Sequence, residues 1–534
     1  MAETDPLIRQ EHLQRMQAIS QLAAQARFAE MRAQCRLLGD AATQAGHFLQ
    51  LLDIGSLLMM AGLLGDASAC FDAAHRLRPD DIRPLANLAN VARDRGDAGA
   101  CTALYARTLA LQPDHVLMRR NLLISQEYDD TLSDADKLAA AKAWGQWVAG
   151  HLPLPARPGL SAPLWDGMGR PLRALRVGYV SADLCQHTVG LLAKDVISGH
   201  GSGRVQAFAY QSGGARDWVT EQIASACTLR MVGALDDAAL ARKIRADGID
   251  VLVDLSGHSG GSRLTMFMHR PAPVQVSWLG YFATTGLSAI DAVLLDAAHA
   301  PPGAESQFTE DVVRMPMGRW CYVPAPWMPT AVPASLPLQR NGHVTFGCFN
   351  NSSKFNGRVF DLWARLLLAV PTARLVLKWR TFLDPGYCGT VREAFAARGV
   401  DPARLELRGP SFHVDLLKEY GDIDIGLDPF PFTGGLTSCE ALWMGVPVVT
   451  WPQDRVVSRQ TLSLLQAIGL AELAAADADD YLRIATMLAN DPLWLQDIHA
   501  SLRPRMAASA LCDVPGFTRG LEETFWQLAR TYAR

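Results

Sequence analysis

Residues 423–451 read IDIGLDPFPFTGGLTSCEALWMGVPVVTW, and this stretch decides the fold class. It opens with a short apolar run, continues with a turn rich in proline and glycine, and then favours a helix beginning near Leu436 and Thr437. A second apolar run follows at 446–451. Short apolar runs that alternate with helices are typical of a parallel β-sheet with helices on both faces. The stretch therefore predicts one strand, helix and strand unit of an α/β sheet.

The same alternation occurs in two blocks along the chain. Strands are predicted in the first block at 175–181 (LRVGYVS), at 205–212, from 251 onward, at 274–280 and at 292–296. After a proline-rich stretch, they are predicted at 344–350, 373–379, 404–409, 423–430 and 446–451. The sequence thus predicts two α/β halves. Ligands of such sheets bind beyond the carboxyl ends of the strands, so we expect the site in the cleft between the halves.

The start of the chain differs, because it is rich in Ala, Leu, Arg and Gln and lacks strand-like runs. Residues 48–81 and 82–115 align without a gap at a period of 34 residues, with Phe71 aligned to Tyr105. A period of 34 with matching small and aromatic positions resembles tetratricopeptide repeats. Stacked repeats form a groove, which we expect either to dock protein substrates or merely to cap the next domain.

Four units are predicted from these patterns. They are an all-α region at 1–155, a linker rich in proline and glycine at 156–172, an N-terminal half at 173–335 and a C-terminal half at 340–534 that ends in a helix.

The composition excludes several classes of protein. The chain has 534 residues, of which 49% are apolar and 19% charged, as in a folded globular protein. A net charge of −4 gives no overall attraction to nucleic acid or to an anionic membrane. The ten cysteines are scattered singly, and no segment is apolar over the length of a membrane span. We therefore expect a cytoplasmic protein with reduced thiols, no membrane span and no nucleic-acid partner.

The turn and helix start after the strand at 423–430 have the features of an anion site. Free N–H groups and the helix dipole favour a diphosphate at such a place, and hydroxyl groups add donors. We predict donor-binding residues at Gly434, Gly435, Leu436, Thr437 and Ser438. One turn further, Glu440 is suited to accept hydrogen bonds from vicinal sugar hydroxyls. The alternative is a plain loop and helix start without a ligand.

Polar residues also follow other strands. Lys354 comes after the strand at 344–350, where a lysine can contact a phosphate as a point charge. His187 follows the strand at 175–181, where an imidazole can act as acid or base or bind a substrate oxygen. The alternatives are a solvated lysine and a surface histidine. The acidic run Asp477, Asp479 and Asp480 favours a helix start over a metal site, so no metal is predicted.

Five motifs in this order resemble the catalytic region of the O-GlcNAc transferase and SPINDLY family, glycosyltransferase family 41. They are LRVGYVSADLCQH, DGIDVLVDLSGHSGGSRL, RPAPVQVSWLGYFATTG, VTFGCFNNSSK and DPFPFTGGLTSCEALWMGVPVVT, and the match spans about residues 172–530. The resemblance implies a GT-B fold with two Rossmann-like halves behind tetratricopeptide-like repeats. It also implies metal-independent, inverting transfer of a sugar from a nucleotide sugar to Ser or Thr of a protein, without a cofactor.

The resemblance assigns roles to several residues. Lys354 matches the lysine that stabilises the departing diphosphate, and Asn351 lies at a nucleotide-contacting position. Thr437 matches a phosphate-binding threonine, and Glu440 matches the acidic ribose ligand. His187 matches a histidine whose role as base is disputed, so it is catalytic or positions the substrate. For the acceptor or sugar pocket we predict His258, Tyr281, Thr284 and Thr285.

The sequence departs from the family pattern at three places. The animal enzyme's histidine at the helix start falls at Gly435, and its base-stacking histidine aligns with Leu416, although His413 lies one turn upstream. We therefore add His413 and Leu416 to the donor-binding residues. A family segment Gly-Tyr-Pro-Gly-Thr reads GYFAT at 280–284. Recognition of the nucleobase is thereby left open.

Three hypotheses follow for function. The first is a protein O-glycosyltransferase that acts on cytoplasmic proteins docked by the repeats. Its expected sugar donor is UDP-GlcNAc. The second is an O-fucosyltransferase using GDP-fucose, or a transferase of another bacterial nucleotide sugar with flagellin as a plausible acceptor. The third is a repeat scaffold with an inactive transferase domain.

Overall fold

The computed structural model describes residues 6–201 and 203–533, and its first part is helical. The helices are α1 (Pro6–Ala24), α2 (Phe28–Ala45), α3 (Phe48–Ala61), α4 (Leu64–Leu77), α5 (Ile82–Asp94), α6 (Ala98–Leu111), α7 (Val116–Gln126) and α8 (Asp134–His151). Helices α3 to α6 lie inside the two predicted repeats, two helices in each.

Close packing between the paired helices explains the small residues of the repeat. A Cβ atom on Gly55 of α3 would lie 2.6 Å from Cε1 of Phe71 in α4, so the aromatic ring rests directly on the backbone of the neighbouring helix. Phe71 and its repeat counterpart Tyr105 are both fully buried. The small and aromatic positions therefore form one contact that each repeat uses again.

The N-terminal half contains one parallel sheet. Its elements are β1 (Leu175–Ser181), α9 (Thr188–Ser198), β2 (Val205–Gln211), α10 (Trp218–Ala226), β3 (Thr228–Met231), α11 (Asp237–Ala246), β4 (Val251–Asp254), α12 (Leu264–Phe267), β5 (Val274–Trp278), β6 (Ala292–Leu295) and β7 (Asp311–Arg314). The strand order is β3-β2-β1-β4-β5-β6-β7. In the central register, Val177 of β1 lies beside Ala207 of β2 and Val251 of β4.

The C-terminal half contains a second parallel sheet, of order β10-β9-β8-β11-β12. The elements that follow residue 336 along the chain are α13 (Pro337–Asn341), β8 (Thr345–Cys348), α14 (Gly357–Ala369), β9 (Arg374–Lys378), α15 (Pro385–Ala396), β10 (Leu405–Arg408), α16 (His413–Glu419), β11 (Ile425–Leu427), α17 (Leu436–Trp443), β12 (Val448–Val449), α18 (Gln460–Ala467), α19 (Ala478–Asn490), α20 (Pro492–Ala507) and α21 (Val514–Tyr532). Strands β8 and β11 are direct neighbours, so the loops that follow them meet at one edge of the sheet.

The predicted fold class is confirmed by these two sheets and the helices before them. The strand at 175–181 begins and ends where the sequence places it. Strands β3 and β7 are absent from the sequence-based set. Both lie at the edges of their sheet and are half-exposed, so they lack the apolar run that marks a buried strand. The acidic run begins a helix as predicted, because the Asp477 side chain accepts from the N–H of Asp480 at the start of α19.

The chain crosses between the halves twice. It first crosses along 315–344, and it returns before α21, which packs against α9 and β5. The terminal helix therefore lies with the N-terminal half, rather than with the C-terminal half to which the sequence assigns it. The N–H of Tyr322 donates to the carbonyl oxygen of Leu511 at 2.8 Å, so the two crossing segments are bonded side by side. Glu522 of α21 anchors the helix through His200, at 3.0 Å.

The helical region contacts both halves through buried polar bonds. Arg455 of the C-terminal half forms an ion pair with Glu127 at 2.6 Å, and both side chains are largely buried. The Ser352 hydroxyl donates to the carbonyl oxygen of Asp94 at 2.6 Å. On the other side, Arg120 donates to the carbonyl oxygen of Ser259 in the N-terminal half, also at 2.6 Å. The helices are thus fixed against the cleft.

Candidate active site

The carboxyl ends of β8 and β11 carry the main group of predicted site residues. Asn351 and Lys354 follow β8, and the glycine turn that begins α17 follows β11. Because these strands are neighbours and parallel, the two loops face each other. The structure thus brings Lys354 together with the predicted diphosphate turn.

Lys354 is held in place by two hydrogen bonds. Its ammonium nitrogen donates to Oδ1 of Asn350 and to the carbonyl oxygen of Thr433, both at 2.8 Å. It also lies 4.6 Å from the centre of the Phe432 ring, within range of a cation–π contact. An ammonium has three donors, so one remains for a ligand. Burial lowers the pKa of Lys354 to about 8, although the nearby Asp428 carboxylate favours the charged form.

Asp428 fixes the shape of the turn. Its carboxylate accepts from the N–H of Gly434 and from the Thr450 hydroxyl, each at 2.7 Å. Burial raises the pKa of Asp428, and these hydrogen bonds oppose the rise. A Cβ atom on Gly434 would lie only 2.1 Å from Oγ of Ser438. A larger residue at this position would therefore displace Ser438 or the turn.

The start of α17 is open to an anion. Its first internal bonds run from the N–H groups of Ser438 and Cys439 to the carbonyl oxygen of Gly435, at 3.0 and 3.1 Å. The N–H groups of Leu436 and Thr437 precede that first turn, and a helix provides no carbonyl oxygen to accept from N–H groups at this place. The Ser438 hydroxyl is already paired with Thr461 at 2.9 Å. Of the five residues predicted here, Gly434 to Ser438, the groups left open to an anion are therefore these two N–H groups and the Thr437 side chain.

Asn351 has a local structural contact. Its Oδ1 accepts from the N–H of Ser353 at 3.1 Å and so begins the short helical turn that carries Lys354. Its contact with a nucleotide stays a prediction.

On the far side of α17, Glu440 and His413 form a pair. Oε1 of Glu440 lies 2.8 Å from Nε2 of His413, and Nδ1 of the same ring accepts from the indole N–H of Trp327 at 3.0 Å. The hydrogen bond to Glu440 raises the pKa of His413, and burial opposes this. Leu416, the other residue added for nucleobase recognition, is half-buried one turn along α16.

His187 stands at the opposite wall of the site, at the start of α9. Its side chain is 50% exposed. Nδ1 lies 3.4 Å from the N–H of Val189 and 3.7 Å from the Asp183 carboxylate. Burial raises the pKa of Asp183, and the neighbouring imidazole acts against that rise. An exposed and weakly held imidazole has the freedom that a substrate-positioning or proton-accepting group needs.

The four residues predicted for the acceptor or sugar pocket are buried. Nε2 of His258 pairs with the carbonyl oxygen of Thr285 at 3.0 Å, and burial lowers the pKa of His258 to about 3. The hydroxyls of Thr284 and Thr285 both donate to the Glu310 carboxylate. Tyr281 packs edge-on against His258, with ring centres 5.1 Å apart. These contacts give the four residues a role in fixing the loop, and their contact with a sugar stays a prediction.

An aromatic cluster joins all three parts of the chain beside Lys354. Tyr128 of the helical region stacks on Phe432 with ring centres 4.7 Å apart, and Phe282 of the N-terminal half meets the same ring at 4.5 Å. Since Lys354 also faces Phe432, the cluster forms a wall of the site. A small cavity of about 20 Å³ lies behind the glycine turn, lined by residues of β8, β11 and the start of α17.

Comparison with known proteins identifies the family. Residues 167–321 and 335–521 match the family model described as glycosyl transferase family 41. The chain belongs to glycosyltransferase family 41. The resemblance inferred from the five motifs is thus confirmed.

Relatives and one solved structure agree with this assignment to family 41. The chain is 34% identical over 434 residues to a probable UDP-N-acetylglucosamine–peptide N-acetylglucosaminyltransferase SPINDLY of Petunia hybrida, covering 79% of this chain and 45% of that protein. The SPINDLY protein of Arabidopsis thaliana is 32% identical, with coverage of 79% and 46%. The chain therefore spans about half the length of these curated relatives.

A mutant of the O-GlcNAc transferase from Thermobaculum terrenum has a similar structure. The TM-score is 0.87 at 34% sequence identity, and 98% of each chain is covered. This match includes the helical region as well as both halves, so the predicted GT-B fold class behind helices is confirmed for this family 41 chain.

Two features are absent from the part of this family 41 chain that the structure describes. Over residues 6–201 and 203–533, no helix is long and apolar enough to cross a membrane. Within the same ranges, no group of three or more His, Cys, Asp and Glu side chains is placed to hold a metal ion.

Three residues of this family 41 site were missed by reasoning from sequence. They are Asn350, Tyr128 and Trp327. Asn350 adjoins the predicted Asn351, and only the geometry shows which of the two meets Lys354. Tyr128 and Trp327 come from a helix end and a proline-rich loop, where no periodic pattern marks a side chain. An aromatic residue within a proline-rich connection is the one signal that could have marked Trp327.

Proposed function

We propose that this chain is a protein O-glycosyltransferase that transfers GlcNAc from UDP-GlcNAc to Ser or Thr of cytoplasmic proteins, with inversion and without a metal. One observation carries the proposal: the Lys354 ammonium is held beside the open start of α17 with a donor to spare. A nucleoside diphosphate leaving group carries the charge that such a site binds.

The chemistry follows from where charge develops. The bond between the sugar C1 and the diphosphate oxygen breaks while the acceptor hydroxyl oxygen bonds to C1 from the opposite face. The electron pair stays on the diphosphate, where Lys354 and the N–H groups of Leu436 and Thr437 stabilise it. The acceptor proton passes either to His187 or to the donor phosphate. Fixed donors of this kind stabilise the negative charge that a metal ion would otherwise stabilise.

Several observations support the choice of substrates. The relatives' names state a UDP-GlcNAc donor and a peptide acceptor. The helical region reaches the cleft through Tyr128, so a protein docked in its groove would have a path to Lys354. All ten cysteines are unbridged, which fits a reducing compartment such as the cytoplasm.

The first experiment is thermal unfolding of the purified protein with UDP, UDP-GlcNAc, GDP or GDP-fucose. A nucleotide at about 100 times its dissociation constant adds roughly 2.7 kcal/mol to the stability of the folded state. We expect stabilisation by UDP and UDP-GlcNAc, followed by release of UDP when an acceptor is added. Lys354→Ala should release less nucleotide, and its matched control is Lys142→Ala, which removes an exposed lysine of α8.

The other outcomes decide between the remaining hypotheses. Stabilisation by GDP and GDP-fucose alone would replace GlcNAc by fucose. Binding of none of the four, with no nucleotide released, would favour another activated sugar or the scaffold hypothesis.

A further inference from the structure

The Trp327 indole determines the protonation of the His413 ring. An indole N–H can only donate, so Nδ1 of His413, 3.0 Å away, must present a lone pair. The ring proton then lies on Nε2, which donates to Oε1 of Glu440 at 2.8 Å. The two hydrogen bonds together fix both the tautomer and the ring orientation.

Trp327 also limits the charge on the pair. Glu440 favours an imidazolium, whereas the indole donor opposes a second ring proton because it needs the lone pair. His413 occupies Oε1 of Glu440, so Oε2 is the carboxylate oxygen that remains for a ligand. Oxygen atoms of that kind accept hydrogen bonds from vicinal hydroxyl groups.

Trp327 is itself seated against the N-terminal half. Its ring meets that of Trp218 edge-on, with centres 5.5 Å apart. The Trp218 indole N–H donates to Oε1 of Gln186 at 3.1 Å, next to His187. The chain of contacts therefore runs from the His187 loop on one wall of the cleft to Glu440 on the other.

We propose that Trp327 is a positioning residue for the ribose of the nucleotide, and that it acts by holding His413 and thereby aiming Glu440 at the two ribose hydroxyls. The inference rests on the proposed function, because it assumes that a nucleoside diphosphate binds here. It does not depend on the base, since UDP and GDP share the ribose.

The first test is spectroscopic and needs no nucleotide. In protein labelled with ¹⁵N-histidine, we expect the neutral form of His413, observed at a pH above its raised pKa, to give the pattern of a pure Nε2–H tautomer. Trp327→Phe keeps the ring and removes the donor, so His413 should shift to a mixture of tautomers or to the imidazolium. Trp165→Phe is the matched control, because the Trp165 N–H has no hydrogen-bond partner. An unchanged His413 pattern in Trp327→Phe would overturn the proposal.

The second test is binding to the unmodified chain and to Trp327→Phe. We expect UDP to bind the variant about tenfold more weakly, which is the loss of one hydrogen bond to a charged group. For 2′,3′-dideoxy-UDP, which lacks both hydroxyls, the two proteins should bind equally. In a Glu440→Gln background, Trp327→Phe should have no further effect on UDP binding.

The outcomes separate the two proposals. If UDP and GDP both fail to bind the unmodified chain, the proposed function fails. If UDP binds and Trp327→Phe weakens UDP and dideoxy-UDP alike, the proposed function stands and the role of Trp327 is only structural. If GDP binds in place of UDP, the same comparison is made with GDP and its dideoxy form.

Discussion

The two walls of the cleft differ in how firmly their polar groups are held. In the C-terminal half, the Lys354 nitrogen has two bonds of 2.8 Å and Asp428 is fully buried. In the N-terminal half, His187 is half-exposed and its nearest donor lies at 3.4 Å. The groups that would stabilise the leaving-group charge are thus fixed in the absence of a substrate. The group that would contact the acceptor is held only weakly. Preorganisation is most valuable where charge develops.

Removal of Lys354 should have the largest effect. We expect Lys354→Ala to lower kcat for nucleotide release by about 10³-fold, the upper end of the loss when one charge-stabilising donor is removed. Substrate binding should change less, because the N–H groups of α17 remain. Lys142→Ala serves as the control. A loss of less than tenfold would show that Lys354 and the wall formed by the C-terminal half do not stabilise the leaving-group charge.

Removal of His187 should cost less. We expect His187→Ala to lower kcat by about 10²-fold, the lower end for a positioned acid or base, because the imidazole is loosely held. His151→Ala is the matched control, since that side chain is 52% exposed and lies outside the cleft. A loss equal to that of Lys354→Ala would remove the contrast between the two walls.

A methyl group on Gly434 tests the fixed turn itself. The added Cβ would lie 2.1 Å from Ser438 Oγ, so the Ser438 side chain or the turn itself must shift. We expect Gly434→Ala to weaken nucleotide binding about tenfold, or about 1.4 kcal/mol. Gly389→Ala in α15 is the control, because nothing lies within 4 Å of its added Cβ. Titration calorimetry with UDP measures both.

The pH dependence should report Lys354. Burial lowers its pKa to about 8, so the ammonium is present below that pH and is lost as the pH rises through it. The kcat should therefore fall about tenfold per pH unit above pH 8. In Lys354→Arg the guanidinium stays charged, so this alkaline limb should disappear even where the rate is lower. An identical limb in both proteins would assign it to another group.

Thr284 should show the smallest effect on activity. Its hydroxyl donates to the buried Glu310 carboxylate at 2.6 Å, so Thr284→Val should lower the free energy of unfolding by about 1–3 kcal/mol. Since the same hydroxyl is committed to the loop, KM for the donor should change less than about twofold. Thr390→Val, at an exposed hydroxyl, is the control for stability. A large change in KM with unchanged stability would return Thr284 to the sugar pocket.

The elements that could be predicted from the sequence are those marked by a local pattern of residues. The strand β1 is buried along nearly its whole length, with Arg176 as its one partly exposed residue, and the turn before α17 is marked by its glycines. Lys354 could be placed near that turn because neighbouring parallel strands end at one edge. The half-exposed edge strands β3 and β7 lack this signal, and both were missed.

Contacts between segments that are far apart in the chain could not be predicted from the sequence. The pairing of His413 with Glu440 spans 27 residues, and that with Trp327 spans 86. Neither follows from periodicity, because each depends on how a loop folds back over a helix. The hydroxyls of Thr284 and Thr285 resemble ligand-binding groups in sequence, and only the position of Glu310 shows that they are occupied.

The paired crossings between the halves restrict how the cleft can open. Tyr322 and Leu511 join the outgoing and returning segments at 2.8 Å, and α21 then fastens the end of the chain to the N-terminal half. Two adjacent connections act as a single hinge line, so sliding of one half along the other would shear that bond, whereas rotation about the line would preserve it. The cleft should therefore open for a nucleotide by rotation about this hinge line, and its two walls should separate most at the edge farthest from Tyr322.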